Sequence, residues 1–340
     1  MRPALWLILG FVSAGCAGAQ QPSLNGPVEA YTFDAPTRSL RAVIGIPGGA
    51  SFGPTLRDSL DFASIAPRQN YGLGFQRGQC MLISGLGSLT LSTRALVGVE
   101  AQPEGVVWSG DGSLAILYSR SGNWLQTVSG FPGAPVAKPV VDGSSLGGAL
   151  ASVAADAQGK QIAAGITAGA SGDGGAVYFS SDGETFTSLK PVANPLALSF
   201  SADRLTLYVL DGSVPQVIAV TLSNHGYQTI PLGGLRNPVA IQAVENSQNS
   251  PQLYIAGGSD RLLRILDVAS QQIVTDVRLS FQPSSLDQFG SNTFVVAARS
   301  QAANPLWLFT STPHPGAYFV PAIQLRPPDR RGAGIVGGAR

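Results

Sequence analysis

The residues best suited to chemistry in this chain are amides that stand immediately before prolines. They form four amide–proline pairs, at Gln102-Pro103, Asn194-Pro195, Asn237-Pro238 and Gln282-Pro283. Amide oxygens and a nearby carboxylate are suitable ligands for a polar molecule or a calcium ion. The candidate ligand-binding residues, expected at the mouth of a central channel, are therefore Gln102, Glu104, Asn194, Asn237 and Gln282.

The same pairs have a structural explanation, which the sequence favours over ligand binding. Proline fixes its own φ, keeps the preceding residue extended and can open a strand without wasting a hydrogen-bond donor. Carboxylates are too sparse at these positions to support a catalytic ring. No catalytic residue, metal site or cofactor is predicted.

Histidine is the commonest general base and metal ligand, but it indicates no site here. The two histidines, His225 and His314, fall in predicted turns at the outer rim of the fold. The glycine-rich segment 169–175 lacks the Gly-Lys-Ser/Thr ending of a phosphate-binding loop, and a predicted strand follows it. Four Asp-Gly pairs are typical of hairpin turns and do not converge on one site: Asp111-Gly112, Asp142-Gly143, Asp182-Gly183 and Asp211-Gly212.

Short apolar runs bounded by Gly, Asn, Asp or Ser recur about every 45 residues, a period typical of four-stranded propeller blades. Six units follow one another, at residues 60–102, 103–147, 148–193, 194–236, 237–281 and 282–323. The unit 237–281 is the clearest, with strands a to d, from the centre outward, predicted at 238–241, 253–256, 262–266 and 273–279. The pattern predicts an all-β fold, a β-propeller with four antiparallel strands per blade.

A seventh, incomplete unit precedes these six. Residues 30–34 and 40–46 parallel the c and d strands of the unit 237–281, and Asp34 stands where Asp267 does. Propellers usually close by pairing strands from both chain ends, because an open edge invites aggregation. The tail offers only 334–337 for this purpose. Seven blades is the first prediction, and six blades plus an N-terminal hairpin is the alternative.

Several segments resemble known propeller repeats. Residues 201–211 with 217–221, and 252–256 with 264–270, resemble the YVTN and NHL-type repeats, which are similar to WD40 repeats. Residues 33–47 and 305–309 resemble those of exported bacterial propellers whose function is unassigned. Residues 179–186 resemble the Asp-box turn of sialidases, which is a folding element on the c–d hairpin in that family. These resemblances imply a propeller and no activity.

Composition restricts the class of partner. Charged residues make up only 12% of the chain and the net charge is +1, which argues against nucleic acid because phosphate binding needs a concentrated basic face. Hydrophobic residues make up 44% of the 340 residues, enough for one continuous core. The 42 glycines and 24 prolines suit many short strands joined by tight turns.

The N-terminus has the pattern of an export signal. Arg2 precedes the apolar stretch 4–12, which is too short to span a bilayer, and small residues follow as far as Ala19. We expect residues 1–19 to be a signal peptide, 20–326 the propeller and 327–340 a flexible tail. The alternative is a lipoprotein acylated at Cys16, because 13–16 resemble a lipobox. Cleavage after Ala19 leaves Cys80 as the one cysteine, and we expect it to be buried and inert.

These features predict an exported, monomeric bacterial propeller, secreted or periplasmic, without a transmembrane span. We expect a scaffold whose loops on one face recognise a protein, a peptide or a glycan. The sequence favours no enzymatic activity. Two alternatives remain, a lactonase-like, metal-dependent hydrolase acting at the channel mouth and a surface lipoprotein with a structural role.

Overall fold

The computed structural model describes residues 27–321, except for 47, 68–69, 89, 169–173, 247, 290–292, 297–305 and 312–314. In these residues the chain forms six four-stranded antiparallel sheets and one three-stranded sheet. One short 3₁₀ turn, Gly143–Leu146, accompanies them. Within the described part, no helix has the length and apolar character needed to cross a membrane.

The seven sheets follow one another along the chain and are numbered as blades 1 to 7. Blade 1 contains β1 (Val28–Asp34), β2 (Ser39–Ile44) and β3 (Ser51–Arg57). Blades 2 and 3 contain β4 (Phe62–Ile65), β5 (Tyr71–Gln76), β6 (Gln79–Ser84), β7 (Ser92–Ala95), and β8 (Gly105–Trp108), β9 (Leu114–Ser119), β10 (Trp124–Ser129), β11 (Val136–Asp142). Blades 4 and 5 contain β12 (Gly148–Ala155), β13 (Ile162–Ala168), β14 (Ala176–Ser180), β15 (Thr187–Pro191), and β16 (Pro195–Phe200), β17 (Thr206–Asp211), β18 (Gln216–Thr221), β19 (Tyr227–Pro231). Blades 6 and 7 contain β20 (Pro238–Glu245), β21 (Pro251–Gly257), β22 (Leu262–Asp267), β23 (Ile273–Arg278), and β24 (Asp287–Gln288), β25 (Thr293–Val295), β26 (Leu306–Thr310), β27 (Gly316–Val320).

The first strand of every blade lies at the centre of the molecule. Residues of β1, β4, β8, β12, β16, β20 and β24 line a single cavity, and the later strands of each blade follow in chain order toward the rim. This arrangement is a seven-bladed β-propeller. Each of the six predicted units corresponds to one four-stranded blade, so the prediction of seven blades is confirmed. The alternative of six blades and an appended hairpin is wrong.

Burial falls from the middle of each blade to its rim. The second strand of blade 5, β17, is almost completely buried, whereas the outer strand of blade 6, β23, is largely exposed. Aromatic rings fill the space between neighbouring blades, as where Tyr254 of blade 6 makes edge-to-face contacts with Phe294 and Phe309 of blade 7, at centroid distances of 5.6 and 5.7 Å. Because both faces of the inner strands are covered in this way, their sequences are continuously apolar rather than alternating.

The position of blade 1 differs from the prediction. Its two N-terminal strands were expected to be c and d, but β1 is the innermost strand, because Tyr31, Thr32 and Phe33 line the central cavity. The strands β1, β2 and β3 therefore occupy the a, b and c positions. An a–b hairpin and a c–d hairpin have the same local pattern of apolar strands around an Asp-containing turn. Asp34 precedes a hairpin turn in either case, so the pattern alone did not separate them.

Side-chain packing joins blade 1 to both of its neighbours. Val43 and Ala50 form a buried cluster with Leu308 and Val320 of blade 7. Thr293 Oγ1 of blade 7 also donates a 2.9 Å hydrogen bond to Glu29 Oε1 of blade 1. On the other side, a second buried cluster joins blade 1 to blade 2, at Leu40, Leu60, Ala63, Ile83 and Leu86. The candidate closing strand at 334–337 lies outside the described residues.

Three of the four Asp-Gly pairs lie in hairpin turns, as predicted, whereas Asp142-Gly143 begins the 3₁₀ turn that connects β11 to β12. In all four, the aspartate carboxylate accepts a hydrogen bond from the main-chain N–H two residues later, at 2.8–2.9 Å: Asp111 from Ser113, Asp142 from Ser144, Asp182 from Glu184 and Asp211 from Ser213. Local capping of this kind is why aspartate is common in turns. The turn containing Asp182 joins β14 to β15, which is the predicted c–d location of the Asp-box-like segment.

Candidate functional site

The central cavity, with a volume of about 1330 Å³, extends along the channel between the seven first strands. The pairing of first and second strands assigns one lining residue of each blade to an equivalent register position, which is called one level of the channel. These seven residues are Thr32, Ser64, Val107, Ala154, Ser199, Gln242 and Asp287. At this level, therefore, small or neutral side chains surround a single carboxylate.

Several serines of the channel wall are occupied by contacts between blades. Ser199 Oγ of blade 5 accepts a 2.9 Å hydrogen bond from the main-chain N–H of Ala243 in blade 6. Ser64 Oγ of blade 2 accepts a 2.9 Å hydrogen bond from Trp108 Nε1 in blade 3. These hydroxyls hold adjacent blades together, and Asp287 is the one carboxylate among the seven residues at this level.

Asp287 is a partly dehydrated carboxylate. Ser285 Oγ donates a 2.7 Å hydrogen bond to Asp287 Oδ2. Water in the channel reaches the side chain, but the surrounding strands displace most of the bulk solvent. This desolvation raises the pKa of Asp287, and the hydrogen bond from Ser285 opposes the increase only in part. Within the described chain, no lysine or arginine forms an ion pair with this carboxylate.

Tyr118 reaches the channel from the second strand of blade 3, because the first strand has a glycine in front of it. Tyr118 pairs with Gly105, and a Cβ atom on residue 105 would lie 2.5 Å from the phenol oxygen. The equivalent positions in other blades carry side chains, at Phe62, Ser152, Ala197 and Ala240. The missing side chain at Gly105 thus leaves the space in which the phenol of Tyr118 reaches the cavity wall.

Tyr118 lies within electrostatic range of charges from its own blade and from blade 7. Burial raises the pKa of Tyr118, and the negative charge of Asp287 raises it further. Arg120 opposes this effect, while Glu104 adds to it. Because Asp287 belongs to blade 7 and Arg120 follows β9 of blade 3, the channel brings together groups that are far apart in sequence.

Glu104 also lines the cavity, but its carboxylate is used to hold the turn between β9 and β10. It accepts hydrogen bonds from Ser119 Oγ at 3.1 Å, Arg120 N at 3.1 Å, Ser121 N at 2.9 Å, and Ser121 Oγ. These bonds, with that from the Ser121 hydroxyl the largest cause, lower the pKa of Glu104 to about 2. A carboxylate with so many donors has little capacity left for a metal ion.

The four predicted amides do not join Glu104 on the cavity wall. Asn194 is half-buried and the other three are exposed, and none lines the cavity: Gln102, Asn194, Asn237 and Gln282. The prolines that follow them are buried, as expected for residues that open an innermost strand. Ligand binding by these amides stays a prediction.

Two of these asparagines show what the repeated position does for the fold. The main-chain oxygen of Asn194 accepts a 2.8 Å hydrogen bond from Gly212 N, and that of Asn237 accepts a 3.0 Å bond from Gly258 N. Each bond connects the entrance of the first strand to the end of the second strand in the same blade. This repeated bond supports the structural explanation of the amide–proline pairs.

The remaining candidates are remote from the channel or lie outside the described residues. His225 is exposed in the turn between β18 and β19, with φ 57°, as the sequence predicted. Cys80 is buried, and desolvation raises its pKa to about 12, so its thiol stays protonated at neutral pH. His314, Cys16 and residues 169–173 lie outside the described part. Where the structure describes the chain, no three His, Cys, Asp or Glu side chains form a metal-binding group.

Sequence reasoning missed Tyr118, Arg120 and Asp287. The sequence could have indicated them only by comparison between blades. Gly105 stands where the first strands of other blades carry a side chain, and Asp287 stands where they carry a neutral residue. Aligning the units by their strand pairing exposes both exceptions. The amide–proline pairs are easy to notice because they recur in four blades. The channel residues Tyr118, Arg120 and Asp287 each occur in one blade only, so a search for repeats does not find them.

Comparison with known proteins supports the fold and no particular activity. No protein-family model matches the sequence, and no curated protein matches it. Virginiamycin B lyase from Staphylococcus aureus is similar in structure, with TM-score 0.53, 13% identity, and coverage of 78% of this chain and 84% of that one. Hsv2 from Kluyvelomyces marxianus has TM-score 0.55 and 10% identity, with coverage of 89% and 100%. A functionally unknown protein from Desulfotomaculum acetoxidans has TM-score 0.57 and 10% identity, with coverage of 86% and 99%.

These identities are too low to transfer a function. The likenesses agree with the seven-bladed arrangement of the sheets, so the chain is placed in the β-propeller class. Many unrelated functions occur on this fold, and the site must supply any further argument.

The hydrogen bonds of Glu104 make its contribution to stability measurable. We expect Glu104→Gln to lower the free energy of unfolding by about 1 kcal/mol at neutral pH, because an amide replaces an acceptor that serves several donors. The lowered pKa means that this contribution is complete above about pH 4.5 and is lost as the pH falls toward about 2. Urea unfolding across this range should therefore show the difference between the two proteins shrinking in acid. Glu100→Gln, at an exposed glutamate, is the control, and an equal loss there would contradict the assignment.

Proposed function

We propose that this protein is an exported recognition propeller, without catalytic activity, that binds its ligand in the central channel. The observation that supports the proposal is the cavity between the first strands, where Tyr118 and Arg120 of blade 3 line the same channel as Asp287 of blade 7. A rigid ring of blades holds these groups in place while the loops remain free to vary. Cavities with a few convergent polar groups are the usual form of a small-molecule site.

The metal-dependent hydrolase is the weaker candidate. It needs several uncommitted oxygen ligands at the channel mouth, and Glu104 is the acidic residue that the sequence offers there. Its carboxylate accepts hydrogen bonds from Ser119, Arg120 and Ser121 instead. The enzyme named in one similar structure, virginiamycin B lyase, shares only the fold with this chain at 13% identity.

Calcium addition tests binding against metal-dependent hydrolysis. We expect millimolar calcium to change the melting temperature by less than about 1 °C, because a ligand stabilises a protein only when the folded state binds it. Differential scanning fluorimetry on the unmodified chain and on Glu104→Gln measures this. A calcium-dependent increase of several degrees that disappears in Glu104→Gln would favour the hydrolase and contradict the proposal.

Export is part of the proposal and rests on the sequence of residues 1–19. Mass spectrometry of the mature protein tests it, with an N-terminus at Gln20 as the expected result. A lipid-modified N-terminal Cys16, together with membrane fractionation that Cys16→Ser abolishes, would instead support the surface lipoprotein.

A further inference from the structure

The channel holds a carboxylate and a guanidinium that do not pair with each other. Asp287 lines it from blade 7, and Arg120 lines it from the turn after β9 in blade 3. Neither forms an ion pair with any residue that the structure describes. The one hydrogen bond to the Asp287 side chain within that part comes from the neutral hydroxyl of Ser285.

Tyr118 lies within electrostatic range of both charges. Its phenol lies over Gly105 at the cavity wall and is sensitive to both Asp287 and Arg120. Among the described residues, its hydroxyl makes no hydrogen bond, so it can still donate one and accept one. The site thus offers an anion, a cation and a neutral hydroxyl to whatever occupies the channel.

The charges that line the cavity distinguish between classes of ligand. A ligand carrying only negative charge would meet four carboxylates, those of Glu104, Asp111, Glu245 and Asp287, with only Arg120 to attract it. A ligand carrying only positive charge would pair with Asp287 and leave Arg120 unpaired. A ligand with both charges satisfies both groups, and charge-assisted hydrogen bonds are among the strongest polar contacts in proteins.

We propose that the channel binds a small zwitterion of the amino-acid class. Its ammonium group pairs with Asp287, its carboxylate pairs with Arg120, and the Tyr118 hydroxyl bonds to the ligand at the cavity wall. This inference rests on the proposed function and names its ligand class. No covalent step is involved.

The test is isothermal titration calorimetry with ω-amino acids from glycine to 6-aminohexanoate as probes. Butylamine and butyrate are the matched probes that carry one charge each. We expect one chain length to bind at least about tenfold more tightly than either single-charge probe, because each charge-assisted contact contributes to affinity. Methyl glucoside is included as a neutral polar probe.

Two variants assign the ends of the ligand. Asp287→Asn should remove the advantage that the ammonium group gives, and Arg120→Gln should remove the advantage that the carboxylate gives. Both should fold, because Arg120 is exposed and Asp287 is a carboxylate whose ionisation the fold disfavours. Asp58→Asn and Arg236→Gln remove exposed charges that do not line the cavity, and they should bind like the unmodified chain.

The outcomes separate the inference from the proposed function. If butylamine binds as tightly as every amino acid and Arg120→Gln has no effect, the site is a cation site and the zwitterion inference is wrong. If methyl glucoside binds, Asp287→Asn weakens that binding and the amino acids do not bind, the inference fails while channel recognition stands. If no probe of any class binds, or if binding is unchanged in both channel variants, both proposals fail.

Discussion

Leu308→Ala is expected to lower the free energy of unfolding by about 3–5 kcal/mol. Leu308 is completely buried in the cluster through which blade 7 contacts blade 1. Removing its side chain leaves a cavity between two sheets that meet only because the ring closes. Urea or thermal unfolding measures the loss, and Leu205→Ala, at an exposed leucine, should change stability by less than about 0.5 kcal/mol.

A double-mutant cycle shows whether the loss reports ring closure or only core packing. Val43 of blade 1 lies in the same buried cluster as Leu308. Val43→Ala and Leu308→Ala should therefore be non-additive, with a coupling energy of about 0.5 kcal/mol or more. Leu253, buried at a different interface, supplies the control pair, and Leu253→Ala should add to Leu308→Ala. Additivity in both cycles would mean that blade 1 does not pack on blade 7.

Arg264→Met is expected to lower the free energy of unfolding by about 3 kcal/mol, because it removes a buried cation from a network of charge-assisted bonds. Arg264 is 6% exposed and forms a two-pronged pair with Asp276, at 2.8 and 2.6 Å. Its guanidinium also donates to the main-chain oxygens of Leu232 and Gly233, which connect blade 5 to blade 6. Without Arg264 these oxygens lose a donor and Asp276 loses its partner.

The control for Arg264 lies on the same blade. Arg278 is an exposed arginine of β23, and Arg278→Met should change stability by less than about 0.5 kcal/mol. Chemical unfolding of both variants gives the comparison. Similar small losses in both would show that the Arg264 network contributes little, and the connection between blades 5 and 6 would then depend on apolar packing alone.

Most of the fold could be predicted from the sequence, because every blade repeats the same local pattern of strands and turns. Every unit must place two buried strands between a channel-facing strand and a rim strand, and tight turns must join them. Residues 238–241, 253–256, 262–266 and 273–279 showed this pattern clearly, and they match β20, β21, β22 and β23, except that β23 ends one residue earlier, at Arg278. Turns such as Asp211-Gly212 could be predicted equally well, because the aspartate carboxylate accepts a hydrogen bond from the main chain of the same turn.

The position of blade 1 was not accessible in the same way. Whether a hairpin lies at the centre or at the rim depends on which other sheets contact it, and no local pattern records those contacts. The buried cluster of Val43, Ala50, Leu308 and Val320 joins residues that are far apart in sequence. The expectation of c and d strands at the N-terminus was wrong for this reason.

The candidate site was accessible only in part. Glu104 lies at the channel, as the repeated strand entrances suggested, but its hydrogen bonds to the following turn could not be read from spacing. Asp287 and Tyr118 come close because the ring brings blades 3 and 7 to one channel. Such proximity follows from the closed ring, and a sequence indicates it only once the register of every blade is known.

The most direct test of channel recognition is a crystal structure of the protein with the tightest-binding ω-amino acid. Electron density for the ligand is expected in the central channel, with its ammonium group at Asp287, its carboxylate at Arg120 and a contact to the Tyr118 hydroxyl. Density on the outer loops or the rim, with the channel free of ligand, would contradict the account.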